Sequence, residues 1–308
     1  MSVSGVTTLS GLTLRNGQAS DGGGLYNSGT LTIVASVLTT NIATSSGGGL
    51  YNSGRLVLQH SLVGGNEVSA TVGFGGGIGN DGSLTIENST IQGNTSPYIG
   101  GLYNSSFGTA EIANSTFNGN EATVGYTGAL HNQQAMTLTN VTVSGNLAVT
   151  TGGGVGNTAT GTLIVLNSTI ANNENTSGFG GGGLHTFGIS VTLKNTILAA
   201  NLPANCGFGT GASVTSLGYN LDSGSSCGLA GTGDVSNVDP TLGPRQNNGG
   251  PTDTHALLPG SPAIDTGTNN GCPATDQRGF SRPRGAACDK GAFEWFDLVR
   301  LFLPLILK

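Results

Sequence analysis

Charge is scarce in this sequence. Only 8% of its 308 residues are Asp, Glu, Lys or Arg, and the formal net charge is −6. With no basic cluster, there is no electrostatic footprint for a phosphate backbone, which excludes nucleic acid as a partner. Long apolar runs are also missing. The C-terminal stretch Phe296-Asp-Leu-Val-Arg-Leu-Phe-Leu-Pro-Leu-Ile-Leu-Lys308 is interrupted by Arg300 and Pro304, and it falls short of the roughly 20 residues a membrane-spanning helix needs. No segment carries an apolar stripe at helical spacing, so an all-α fold is excluded as well. Cysteine is absent until Cys206; the others are Cys227, Cys272 and Cys288. None of these forms the closely spaced pair of a zinc site. Four cysteines grouped in one region point instead to two disulfides and an oxidising compartment. Nothing in the sequence asks for a cofactor.

Glycine, by contrast, is abundant, with 55 residues, and it recurs in register. The stretch G-G-G-L-Y-N-S-G-T-L-T-I-V-A-S-V-L-T-T-N, from Gly22 to Asn41, returns in edited form along most of the chain. The apolar residue that follows the glycines is Leu25, Leu50, Ile78, Leu102, Leu130, Val155 and Leu184, at spacings of 25, 28, 24, 28, 25 and 29. Within a copy the apolar period is two: Leu31 and Ile33 flank Thr32, and Leu84 and Ile86 flank Thr85. Short alternating runs broken by Gly, Asn and Ser are strand signals. About three such runs per copy describe one coil of a parallel β-helix. One Asn column reads Asn27, Asn52, Asn80, Asn104, Asn132 and Asn157, followed by Thr186. A second reads Asn41, Asn66, Asn94, Asn120, Asn146, Asn173 and Asn201. Stacked Asn side chains can bond along the axis as a ladder, and Asn tolerates the left-handed backbone of a sharp corner. The expectation is an all-β, right-handed parallel β-helix of the pectate-lyase-like kind. It would have about eight to ten coils and a small disulfide-bonded C-terminal cap.

The G-G-G-[L/I/V] opening with its downstream apolar-x-x-Asn resembles the repeat of the polymorphic outer-membrane protein family and related secreted bacterial β-helices, over residues 22 to 201. Residues 238–295 differ in kind, being rich in Pro and charge. Here V-D-P-T-L-G-P-R-Q-N-N-G-G-P-T-D-T-H-A-L-L-P-G-S-P-A-I-D-T-G is followed by Cys272-Pro-Ala-Thr-Asp-Gln-Arg-Gly, Arg282-Pro and Cys288-Asp-Lys-Gly-Ala-Phe-Glu. This segment resembles the choice-of-anchor Q module of secreted bacterial β-helix proteins, departing from it at Lys290, where that family more often has an apolar residue. The resemblance implies a module that caps the helix and precedes a surface-attachment tail. His255 belongs to the motif and takes a structural role in it. The chain then divides into repeats over 1–204 with a degenerate first coil, a last irregular coil over 205–237, the module over 238–295, and an apolar sorting tail or final strand over 296–308. The opening Met1-Ser-Val-Ser-Gly has neither a basic start nor an apolar segment. The reading therefore expects further sequence before it. The sequence permits three cystine pairings. Cys206–Cys227 and Cys272–Cys288 are expected, because each closes a local loop where the repeats no longer supply a core.

Carbohydrate chemistry on such a fold needs carboxyl groups within about 5–10 Å of each other. Between residues 22 and 201 the acids are Glu67, Asp81, Glu87, Glu111, Glu121 and Glu174, and the bases are Arg55 and Lys194. Glu67, Glu121 and Glu174 share a column just after the second Asn, on every other coil, with Thr95 and Leu147 between them. They read as solvated turn residues. His131 and His185 share a column with Tyr26, Tyr51 and Tyr103, as rings in a partly exposed stack. An ice-binding Thr array is broken on alternate coils by Val57, Glu111 and Ile164. Triplets such as Asn88-Ser-Thr and Asn114-Ser-Thr match a glycosylation acceptor, but the repeat accounts for them. No catalytic, metal or cofactor residue is assigned. The function expected is a non-catalytic, monomeric adhesin, stalk or envelope component of a bacterial surface, whose partners are surface glycans or envelope components. The alternative is a polysaccharide-binding or polysaccharide-degrading β-helix.

Overall fold

The computed structural model describes residues 1–296; all but the first residue of the tail expected over 296–308 lies outside the described residues. The copies stack as coils of a parallel β-solenoid. Leu25, Leu50, Ile78, Leu102, Leu130, Val155 and Leu184 pair neighbour to neighbour in one parallel sheet, ending on Cys206. All seven are completely buried. Their period-two partners Leu31, Leu56, Leu84, Leu163 and Val191 line the same core cluster from a second sheet.

The first seven coils each contribute four strands, one more than the sequence pattern shows. In the second coil these are Leu25–Asn27, Thr30–Val34, Val37–Thr39 and Ile42–Ser46. The four sheets hold nine, nine, ten and seven strands. The fourth sheet is built from pieces such as Glu67–Val68 and Glu121–Ala122, two residues long. A run that short carries one outward and one inward residue, too few to register as alternation. Glycines permit the coils to approach between the fourth and first sheets. A Cβ on Gly48 would lie 2.3 Å from Gly76 O and 2.4 Å from Glu67 O, distances that only a glycine avoids.

Both Asn columns form ladders. In the second, Nδ2 of Asn66 donates to Oδ1 of Asn94 at 2.9 Å and to Leu38 O at 3.0 Å, while its own Oδ1 accepts from Asn41 Nδ2 at 3.0 Å. The first runs without a break from Asn27 to Asn157, then reaches Thr186 Oγ1 at 3.4 Å. The backbone corrects one expectation. The ladder Asn residues do not adopt the left-handed conformation; the residue before each of the second column does. These are Thr40, Gly65, Gly93, Gly119, Gly145, Asn172 and Ala200, with φ from 52° to 68°. The Asn is thereby freed to turn its side chain inward, where both amide hydrogens and the carbonyl are used. At the preceding corner of the coil, between the second and third sheets, Asn88, Asn114, Asn140 and Asn167 are left-handed. The serines after three of them, Ser89, Ser115 and Ser168, are buried acceptors of backbone N–H groups from the preceding coil, at 3.0 to 3.1 Å. The N-S-T triplet is thus a corner and its pin.

Two segments close the structure. The loop after Asp222 brings Cys227 and Leu229 against the end of the core, where Cys227 bonds to Cys206. Residues 238–295 lie along the outer face of the third sheet. There the outward residues Thr116, Thr142, Thr169 and Ile197 are buried. The segment includes an antiparallel hairpin, Leu242–Gln246 with Thr254–Leu257, and the second disulfide, Cys272–Cys288. Both bridges follow the expected pairing. Among the described residues no helix is long and apolar enough to cross a membrane.

Candidate functional site

The acids expected to stand apart do so. Glu67, Thr95, Glu121, Leu147 and Glu174 are successive partners across the fourth sheet. Glu67 and Glu174 are therefore separated from Glu121 by one strand each, about 10 Å. They occupy strands rather than turns, and Glu67 and Glu174 are exposed.

A different pair comes together on the second sheet. Thr85 is the partner of Glu111, and Glu87 that of Ala113. Glu87 and Glu111 are therefore diagonal neighbours on adjacent strands, one strand across and two residues along. That places their Cα atoms about 8 Å apart. Both line a shallow hollow of about 230 Å³ with Thr85 and Thr137. Both side chains leave the same face of the sheet, so the two carboxyl groups share one hollow. Glu87 Oε2 accepts from Gln59 Nε2 at 3.1 Å, and no Lys or Arg lines the hollow. Sequence reading missed this pair because the two residues hold different positions in their copies. Only the strand register makes them neighbours.

In the ring column Tyr26, Tyr51 and Tyr103 are partly exposed, as expected, while His131 and His185 are buried. Tyr26 and Tyr51 stack with centroids 5.4 Å apart, and Tyr103 and His131 are 6.1 Å apart. At the intervening Gly79 the series is continued from a loop by Phe74, 5.1 Å from Tyr103. His131 is 7% exposed and bonds to Thr127 Oγ1 through Nδ1 at 3.0 Å. Burial depresses its pKa to about 4, so it is neutral at physiological pH. His185 is 6% exposed, lies edge-on to Phe187 at 4.6 Å, and neither ring nitrogen has a partner among the described residues. Tyr51 donates to the Asp81 carboxylate, and burial with that contact raises its pKa. Among the described residues no group of three or more His, Cys, Asp or Glu is placed to hold a metal ion.

The C-terminal strap carries the densest polar chemistry. His255 Nδ1 donates to Gly243 O at 2.8 Å, leaving Nε2 to accept from Ser144 Oγ at 2.9 Å. This is the geometry of a nucleophile and its base, but both side chains are 4% exposed. The contact fastens the hairpin to the solenoid, in line with the structural role expected of His255. Gln277 acts likewise, accepting from Thr142 Oγ1 at 2.7 Å and donating to Thr116 Oγ1 at 2.9 Å. Arg278 pairs with Asp276 at 2.7 Å and lies 3.5 Å over the Phe293 ring. Arg282 donates to the carbonyls of Asp289 and Gly291 at 3.1 and 2.8 Å. Burial raises the pKa of Asp289 to about 7 and lowers that of Lys290 to about 8. Lys290 donates to Gly233 O at 2.7 Å. The position where the resembling family more often has an apolar residue is thus fully buried here as a cation.

Among solved structures, the crystal structure of pectate lyase Pel9A matches with a TM-score of 0.52 at 20% identity, covering 92% of this chain and 69% of that one. At that identity the likeness shows the β-helix fold alone. No family model matches the chain, and no curated protein matches it.

Proposed function

We propose that this chain is a displayed, rigid β-helix of a bacterial cell surface, serving as an adhesin or stalk rather than as an enzyme that cleaves polysaccharide. The observation that carries this reading is the placement of Glu67, Glu121 and Glu174 on alternate strands of one exposed sheet, with Thr95 and Leu147 between them. Such spacing provides no paired acid and base. Two disulfides support an extracellular setting, because such bonds persist in oxidising compartments. The resemblance of residues 238–295 to choice-of-anchor Q modules supports attachment through the C-terminal side, and surface glycans or envelope components are the partners we infer. The chain's division at 204, 237 and 295 belongs to the same reading.

A second reading, a polysaccharide-cleaving enzyme, draws on Glu87 and Glu111. Against it stand the shallowness of their hollow and the absence of a lining cation. Product release from pectin, alginate, xylan and mannan separates the two. We expect none from the native chain. Turnover that disappears in both Glu87→Gln and Glu111→Gln would replace the first reading with the second.

A further inference from the structure

We propose that the cleft where the tip of the strap overhangs the uncovered third sheet binds a neutral oligosaccharide. This rests on the displayed-adhesin reading and names the surface and the ligand class for it. Two hollows, each of about 470 Å³, adjoin there and share Leu62 and Gln92. Their size suits a ligand of a few sugar rings.

The cleft is built rather than incidental. Its floor is the outward side of strands Leu62–Gly64 and Thr90–Gln92, on coils the strap leaves open. One wall is Pro251-Thr252-Asp253. That wall is fixed to the solenoid: Thr252 Oγ1 donates to Asn114 O at 3.0 Å, and Thr116 Oγ1 donates to Asp253 O at 2.6 Å. Gln277 Nε2 bonds to Thr252 Oγ1 at 2.9 Å from behind. A ligand would therefore meet a preorganised edge, with little left to order on binding. The opposite rim is the corner column at Gly65, Gly93 and Gly119. With no side chains there, the hollow stays open along the axis.

The lining chooses the ligand class. Asp253 is its one carboxylate, and it is already paired with Arg245. No Lys or Arg lines either hollow. A polyanion such as polygalacturonate would find no fixed cation, only the His60 imidazole at one end, and a polycation only a carboxylate already engaged. A chain of hydroxyls, in contrast, meets matching donors and acceptors. Asn118 Nδ2 donates to Gln92 Oε1 at 3.2 Å. That leaves the Gln92 amide nitrogen as a donor and Asn118 Oδ1 as an acceptor, without partners among the described residues. Thr39 and Thr90 add hydroxyls, while Leu62 and Pro251 offer apolar surface to the C–H faces of a sugar.

Calorimetric titration of the full chain tests this, using hexasaccharides of cellulose, xylan, mannan and chitin type beside hexagalacturonate. At least one neutral hexasaccharide should bind, and the double variant Gln92→Ala/Asn118→Ala should weaken it about tenfold. Thr39→Arg, which fills the cleft from another coil, should abolish binding and serves as a second probe should the amide variant fold poorly. Glu87→Gln should leave binding intact. Preference for hexagalacturonate, binding indifferent to both cleft variants, or no binding of any neutral hexasaccharide would each overturn the assignment. A chain that fails here yet yields no polysaccharide products would still satisfy the scaffold reading. One that releases products would overturn that reading instead.

Discussion

At the scale of single residues, the buried polar groups are either used in full or conspicuously idle. Asn94 is fully used: Nδ2 donates to Asn120 Oδ1 at 2.9 Å and to Val63 O at 3.0 Å, and Oδ1 accepts from both nitrogens of Asn66. Asn94→Leu would strand partners on two neighbouring coils. It should cost about 3 kcal/mol, each buried unsatisfied group contributing on the order of 1–3 kcal/mol. A denaturant midpoint unchanged within error would contradict the ladder's energetic role. His185 is the idle case, with two buried nitrogens lacking partners. His185→Phe keeps a ring against Phe187 and removes the desolvated nitrogens, so it should stabilise by about 1 kcal/mol. A loss of stability on urea titration would show that those nitrogens are bonded to something, buried water included.

Lys290 and Asp289 give the strap a pH dependence whose sign can be worked out. Burial lowers the pKa of Lys290 from 10.5 to about 8 in the folded state. The folded state therefore binds its proton less tightly than the unfolded chain does. Its penalty is fully present below pH 8 and is relieved as pH rises toward 10.5. Asp289 is raised from 3.8 to about 7, so it favours folding at acid pH. That contribution is lost as pH rises from about 4 to 7. Lys290→Met should therefore raise Tm at pH 7, with the gain shrinking above pH 8, and Asp289→Asn should flatten the decline between pH 4 and 7. Thermal melts from about pH 4 to about pH 10 check both. A Lys290→Met gain independent of pH would assign the effect to packing alone.

At the scale of elements, what was legible depended on whether a signal repeats in register. The first three strands of each coil show in the sequence because Leu25, Leu31, Ile33 and Leu38 have counterparts at fixed offsets in later copies. The fourth strand does not, because two residues such as Glu67 and Val68 carry no period. Both Asn columns were visible, but the left-handed backbone at the second column belongs to the residue before the Asn, and the first column's corner has none beside it. A Gly-Asn pair does not say which of the two turns. The burial of Thr116, Thr142 and Thr169 under the strap was not legible either, since it depends on a segment more than a hundred residues away in sequence. The Glu87–Glu111 pairing and the cleft share that cause: each is created by register or docking, not by a local motif. The disulfides were legible because each closes a local loop, of 21 and 16 residues. By the chain-entropy estimate each contributes on the order of 3 kcal/mol. Reduction should lower the unfolding midpoint measurably in the intact chain, and an unchanged midpoint would make the bridges incidental.

At the scale of the molecule, the parallel sheets and two Asn ladders join successive coils by repeating bonds from the second coil onward, with a serine column interrupted at Val141. A solenoid coupled only between neighbours can fray or split where coupling weakens. Here the strap adds contacts that skip coils, binding Asn114, Asn140, Thr169 and Asn195 to one segment. Together these features make the coils from Leu25 to Asn201 a single rigid body, the property the proposed spacer role needs. Hydrogen exchange followed by mass spectrometry tests it most directly. The coils from Leu25 to Asn201 should exchange as one cooperative block, with faster exchange confined to the first coil and to loops such as Ser69–Gly73. A division of those coils into blocks whose protection differs by about a hundredfold or more would contradict the claim.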